Sequence, residues 1–176
     1  MEIRFRQAER RDAQAIADIY ERIHDREEAG PVTVGWVRGV YPTYDSAMES
    51  IKVGDMYVGE ADGQIIAAAR INQDQVQPMY SQVDWQHQAS DEQVLVIHTL
   101  VVDPLSSRGG YGRSFVRFYE DMARSMGCTC LRMDTNELNV PARSLYASMG
   151  YSEAGIIPCE FNGIPGVGLV CLEKRL

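Results

Sequence analysis

The chain has 176 residues, 45% hydrophobic and 24% charged, which suits a single domain spanning residues 1–176 with its own core. Its 25 acidic residues outnumber 17 basic ones for a formal charge of -8, arguing against general affinity for nucleic acid or an anionic membrane and favouring a neutral or cationic partner. The N-terminus "MEIRFRQAERRDAQ" is charged from its second residue, and the longest aliphatic stretch, Val94 to Val102, contains His98 and Thr99. Neither a signal peptide nor a spanning helix is expected, and the chain reads as cytoplasmic.

The first predicted element is an amphipathic helix over "DAQAIADIYERIHDREE", with Asp12 as a candidate N-cap and Ala15, Ile16, Ile19, Tyr20 and Ile23 at helical spacing. An aromatic loop carrying Trp36 and Tyr41 follows, and a second helix resumes over Ser46 to Ile51. "DMYVGEADGQIIAAARIN" predicts two antiparallel strands joined at Asp62-Gly63, a pair that tolerates the positive φ angles of a two-residue turn. Residues 73–93 form a long polar loop holding Tyr80 and Trp85, with a helical turn expected around "YSQVDW".

"VLVIHTLVVDP" reads as a strand buried on both faces and ended by Pro104. After the glycines, Phe115, Tyr119, Met122 and Met126 mark the buried stripe of a helix that Gly127 terminates. "CTCLRMDTN" predicts a strand, Asn139 caps a helix over "VPARSLYASMG", and two strands close the chain around "SEAGIIP" and "VGLVCLEKRL". The order implies a mixed α/β domain, a twisted sheet with a parallel central pair flanked by helices. The four cysteines form no CxxC pair and the three histidines are scattered, so no metal site is expected.

"DPLSSRGGYGRSFV" joins the buried strand to its helix through three glycines and two arginines. A helix N-terminus reached through glycines presents unpaired amides and partial positive charge, a seat for an anion; a tight corner needs the same glycines. A P-loop would place lysine and Ser/Thr after the last glycine, and a dinucleotide fold would place its glycines after the first strand, so both are disfavoured.

At this point the residues resemble the GNAT acetyltransferase superfamily, whose coenzyme-A loop carries Gln/Arg-x-x-Gly-x-Gly/Ala. "SRGGYG" aligns both glycines, Gly110 and Gly112, with Ser107 at the Gln/Arg position and Arg108 one place later. The family's second signature, Asn-x-x-Ala-x-x-Leu-Tyr-x-x-x-Gly-Phe/Tyr, is matched by Asn139, Ala142, Leu145, Tyr146, Gly150 and Tyr151, about 30 residues downstream. The resemblance implies a mostly antiparallel sheet whose parallel central pair splays apart. It also implies acetyl-CoA as cofactor and direct transfer to a primary amine of a small molecule, amino acid derivative or peptide. A protein lysine or N-terminal acetyltransferase, or a non-catalytic acyl-CoA sensor, is the alternative.

By the same resemblance, Leu100, Val101 and Val102 bind the pantetheine arm through backbone groups, and the stretch Arg108, Gly109, Gly110, Tyr111, Gly112, Arg113 and Ser114 holds the pyrophosphate. Asn139 caps its helix and contacts the cofactor. Tyr146 is the general acid for the departing thiolate, a fitting task for a phenol protonated at pH 7. His98 is either a base or a core histidine. Trp36, Tyr41, Tyr80 and Trp85 either contact the acceptor or plug the core. Glu60, Glu92 and Asp103 could attract a cationic acceptor, though their spacing singles none of them out. A homodimer is compatible with all of this.

Overall fold

The structure is a computed structural model and describes residues 3–106 and 109–176. In chain order the elements are β1 (Arg4–Gln7), α1 (Ala13–Ala29), α2 (Tyr44–Lys52), β2 (Met56–Ala61), β3 (Gln64–Asn72), β4 (Val94–Val102), α3 (Tyr111–Met126), β5 (Cys130–Asn136), α4 (Val140–Ser148), β6 (Ser152–Phe161) and β7 (Ile164–Arg175). They build one seven-stranded sheet of order β1-β2-β3-β4-β5-β7-β6, antiparallel except for the central β4–β5 pair. No described helix is long and apolar enough to cross a membrane.

Local chemistry accounts for most of these elements. Asp62 (φ 50°) and Gly63 (φ 75°) both take positive φ in the β2–β3 turn, as the Asp-Gly pair predicts. Asn139 caps α4 by accepting the Ala142 N–H at 3.3 Å, and Gly127 ends α3 at φ 76°. β4 is buried on both faces through its first half. Leu95 and Ile97 pack toward Phe115 and Tyr119 of α3, while Val94 and Val96 pack toward Tyr80, Trp85 and Ile164.

One strand lies outside the sequence reading, and two expectations are corrected. Strand β1 carries no clear sequence period, because only Phe5 enters the core, stacking on Phe118 at 4.9 Å, while Arg6 is held by Asp12 and Glu60. Asp12 makes no capping bond to α1, because its carboxylate instead receives Arg6 at 2.6 Å and the Glu9 N–H at 2.7 Å. Met126 is 51% exposed, because the buried stripe continues from Tyr119 to Ala123, one turn earlier.

Phe115 is fully buried and meets the rings of both Phe5 and Phe118. Phe115→Ala is expected to lower the unfolding free energy by about 3–5 kcal/mol, read by urea titration at constant m-value.

Candidate active site

The site starts from a defect in the sheet. On β3, Ala68 pairs with Val101 and Arg70 with His98, so Ala69 stands opposite two residues, Thr99 and Leu100. This is a β-bulge, and Thr99 takes φ 53°, a costly conformation for a β-branched residue. On the other side, β4 pairs with β5 only from Val94↔Cys130 to Ile97↔Met133, while β5 continues along β7 to Asn136↔Leu169. The parallel pair therefore opens beyond Ile97, and two cavities occupy the opening.

The larger is a groove of about 620 Å³ running along β4 and α4. Leu100, Val101, Val102, Gly112, Asn139 and Tyr146, all expected to bind cofactor, line it together. Gly110 is the N-cap of α3 at φ 71°, makes no side-chain cap, and a Cβ there would meet nothing within 4 Å. Among the described residues, the 16-residue helix thus has open space at its N-cap, as a diphosphate requires. Gly109 leaves room for the Tyr111 ring, which a Cβ would meet at 2.3 Å. Arg113 donates to Ser148 Oγ at 2.7 Å and keeps its charge at this end, and Ser114 Oγ bonds the Gly110 carbonyl at 3.3 Å. Ser107 and Arg108 lie outside the described residues.

Tyr146 and Trp36 line both this groove and a smaller cavity beyond it, which also touches Tyr41, Thr99 and Asp134. Beyond that lies a polar chamber of about 310 Å³ faced by Tyr41, Arg70, His98, Thr99, Asp134 and Asn162. The Tyr41 hydroxyl is hydrogen-bonded to Thr99 Oγ1, which braces the bulge. Among the described residues the Tyr146 hydroxyl has no hydrogen-bond partner. Burial, reinforced by the charge of Asp134, raises its pKa above the ordinary phenol value, so it stays protonated.

Asp134 was not singled out in the sequence. Its Oδ2 accepts the Tyr80 hydroxyl at 2.8 Å, and among the described residues Oδ1 has no partner. Burial pushes its carboxyl up to about 6, against the opposing effect of the Tyr80 bond. The available signal was "CLRMDTN", a core strand carrying Arg132 and Asp134 on one face. Arg132 lies over the Trp85 ring at 4.1 Å, and Asp134 is left facing the opening.

His98 occupies the matching position on β4. Asn72 Oδ1 already accepts the Asp74 N–H and its Nδ2 donates to Asp55 and Asp74, so His98 Nε2 donates to Oδ1 at 2.9 Å. Burial and then Arg70 lower its pKa to about 4, leaving it neutral and weakly basic. Tyr80 and Trp85 line none of the three cavities. Both are buried behind the sheet, Trp85 Nε1 donating to the Tyr80 carbonyl at 2.8 Å, so Tyr80 reaches the site only through Asp134. Glu60 and Asp103 are bound by Arg6 and Arg22, away from the opening.

A splayed parallel pair leading to a glycine-opened helix, with a protonated tyrosine at the crease, defines an acyltransferase that takes its acyl group from coenzyme A. The profile of the acetyltransferase (GNAT) family matches residues 14–151, and the chain belongs to that family, whose cofactor is acetyl-CoA. A GNAT-family acetyltransferase from Streptococcus agalactiae superposes with TM-score 0.80 at 21% identity, covering 99% of this chain and 95% of that one. A Salmonella typhimurium protein solved with its cofactor acetyl-CoA gives TM-score 0.70 at 17% identity, covering 100% and 95%. The ribosomal-protein-S18-alanine N-acetyltransferase of Escherichia coli gives 0.68 at 16% identity, covering 99% and 94%. No curated protein matches the sequence.

Gly110→Trp and Gly110→Ala suffer the same strain at φ 71° but differ in bulk. Isothermal titration is expected to show acetyl-CoA affinity within a few-fold of wild type for the alanine variant and lost for the tryptophan variant.

Proposed function

We propose that this enzyme transfers the acetyl group of acetyl-CoA directly to a primary amine of a small molecule, amino acid derivative or peptide. The observation that carries this is the meeting in one cavity of two groups without partners among the described residues, Asp134 Oδ1 and the Tyr146 hydroxyl, where the cofactor groove joins the acceptor chamber. Bound acetyl-CoA supplies an activated thioester and a thiolate leaving group. Leu100, Val101 and Val102 hold the pantetheine arm on the freed edge of β4. Gly109, Gly110, Tyr111, Gly112, Arg113 and Ser114 cradle the pyrophosphate, with Arg108 completing that stretch.

The remaining steps move protons. Asp134, ionised above about pH 6, takes one from the incoming ammonium and leaves its nitrogen lone pair free to attack. Its acidity is matched to neutral pH, whereas His98, near 4, serves as a hydrogen-bond acceptor through Nδ1. As the C–N bond forms and the C–S bond breaks, Tyr146 donates its proton to the sulfur, and the second proton that the nitrogen sheds on becoming an amide restores the phenol. Trp36 and Tyr41 wall the acceptor with aromatic faces, which suit an amine. The chamber volumes admit a slim amine better than a folded protein surface.

A thiol-release assay with acetyl-CoA over a panel of amines tests the reading; binding without release on any amine would overturn it. Because the base must be deprotonated, kcat/KM is expected to rise as pH climbs through about 6 and then level. Asp134→Asn should flatten that rise and lower turnover about 100-fold or more. Tyr146→Phe should lower kcat by a similar factor, roughly 100-fold, with acetyl-CoA affinity unchanged; equal loss of both would assign it to packing.

A further inference from the structure

The loop after α1 walls both the cofactor groove and the small cavity where Asp134 and Tyr146 meet, and one carboxylate holds it. Glu27 lies two residues before the end of α1 and lines the groove. Both of its oxygens are 3.0 Å from the Thr33 backbone N–H, Oε2 is 3.0 Å from the Gly35 N–H, and the Thr33 hydroxyl donates to Oε1. Successive amides of one turn thus converge on a single anion, the arrangement known as a nest. Burial disfavours the charge, but the Thr33 hydroxyl and the backbone bonds outweigh it and hold the Glu27 carboxyl below its usual range.

The clasped residues touch both sides of the reaction. Val34 and Trp36 line the groove and the small cavity alike. Between them Gly35, at φ 71°, sits so close to β5 that a Cβ would fall 2.5 Å from Asn136 Nδ2. Trp36 then meets Tyr41 edge-on at 6.2 Å, and Tyr41 reaches the Thr99 bulge through its hydroxyl. The position of the acceptor wall follows from that of the nest.

We propose that Glu27 is a positioning residue for the acceptor, setting the Val34–Trp36 wall against which the amine is presented to the thioester. The inference rests on the acetyl-transfer reading above, since that reading brings the amine into the small cavity that this loop walls. A carboxylate can accept all three donors, whereas glutamine would turn an NH2 toward some of them.

The test is steady-state kinetics of Glu27→Gln with an amine that the wild type acetylates, alongside acetyl-CoA titration and amide exchange. The expected result is an acceptor KM raised about 10-fold, kcat and acetyl-CoA affinity within about threefold, and faster exchange at Thr33 and Gly35. A merely structural role would lower the melting temperature and the active fraction and leave KM unmoved, and that result overturns the proposal. Equal weakening of both substrates also overturns it. Where Glu27→Gln does not fold, Thr33→Val decides, with an acceptor KM expected to rise about threefold and an unchanged KM counting against the nest. A wild type that acetylates no amine overturns the acetyl-transfer reading itself, together with this inference.

Discussion

Everything at this site depends on the early end of the hydrogen-bond ladder between β4 and β5. A parallel pair in mid-sheet ordinarily satisfies its backbone groups along its whole length, and leaving them unpaired in a buried place is costly. Here pairing stops at Ile97↔Met133, and the bulge at Thr99 and Leu100 turns β4 away. The freed backbone edge can bind an extended ligand as a neighbouring strand would. Strain at Thr99 is the kind of local cost that sheets carry at functional positions, and the surrounding pairing and the Tyr41 hydroxyl hold it in place.

The opening also divides the chemistry. Asp134 and Tyr146 come from successive elements linked through Asn139, whose side chain caps α4 and donates to Thr135 Oγ1 at 3.1 Å. The carboxylate that is suited to remove a proton is also a field that keeps the phenol protonated. Burial raises both groups in the one cavity, and from their different starting points it leaves the carboxyl ionised and the phenol protonated at neutral pH, a base beside an acid.

What was legible in the sequence was what local chemistry decides. The Asp62-Gly63 turn, the Asn139 cap, the Gly127 terminus and the doubly buried first half of β4 each follow from a few adjacent residues. The glycine turn was legible as an anion seat or a corner, and the downstream "NVPARSLYASMGY" favoured the seat. The bulge was hidden, because nothing near Thr99 asks for a positive φ; the registers of β3 and β5 impose it. Asp134 was hidden for a related reason. Its raised pKa arises from burial, and its partner Tyr80 lies 54 residues away in sequence. Glu27 looked like one more charge at the end of an amphipathic helix, since the amides that converge on it belong to a turn with no periodic signal.

The long loop over residues 73–93 gives the fold a property that the strands alone do not. It lays Tyr80 and Trp85 over the sheet, and Arg132 extends over that indole to the His87 carbonyl at 3.1 Å, so the loop acts as an insulating sheath behind Asp134. A carboxylate open to water there would titrate near 4 and give up its affinity for protons. The sheath contributes to that affinity, and the same loop has a second task, since Asp74, Gln75, Val76 and Gln77 near its start line the polar chamber that Asp134 faces. A chain with the same glycine turn and the same tyrosine, but with this loop pared back, would lose together the burial that raises the Asp134 carboxyl, the Tyr80 hydrogen bond that opposes that rise, and one wall of the chamber.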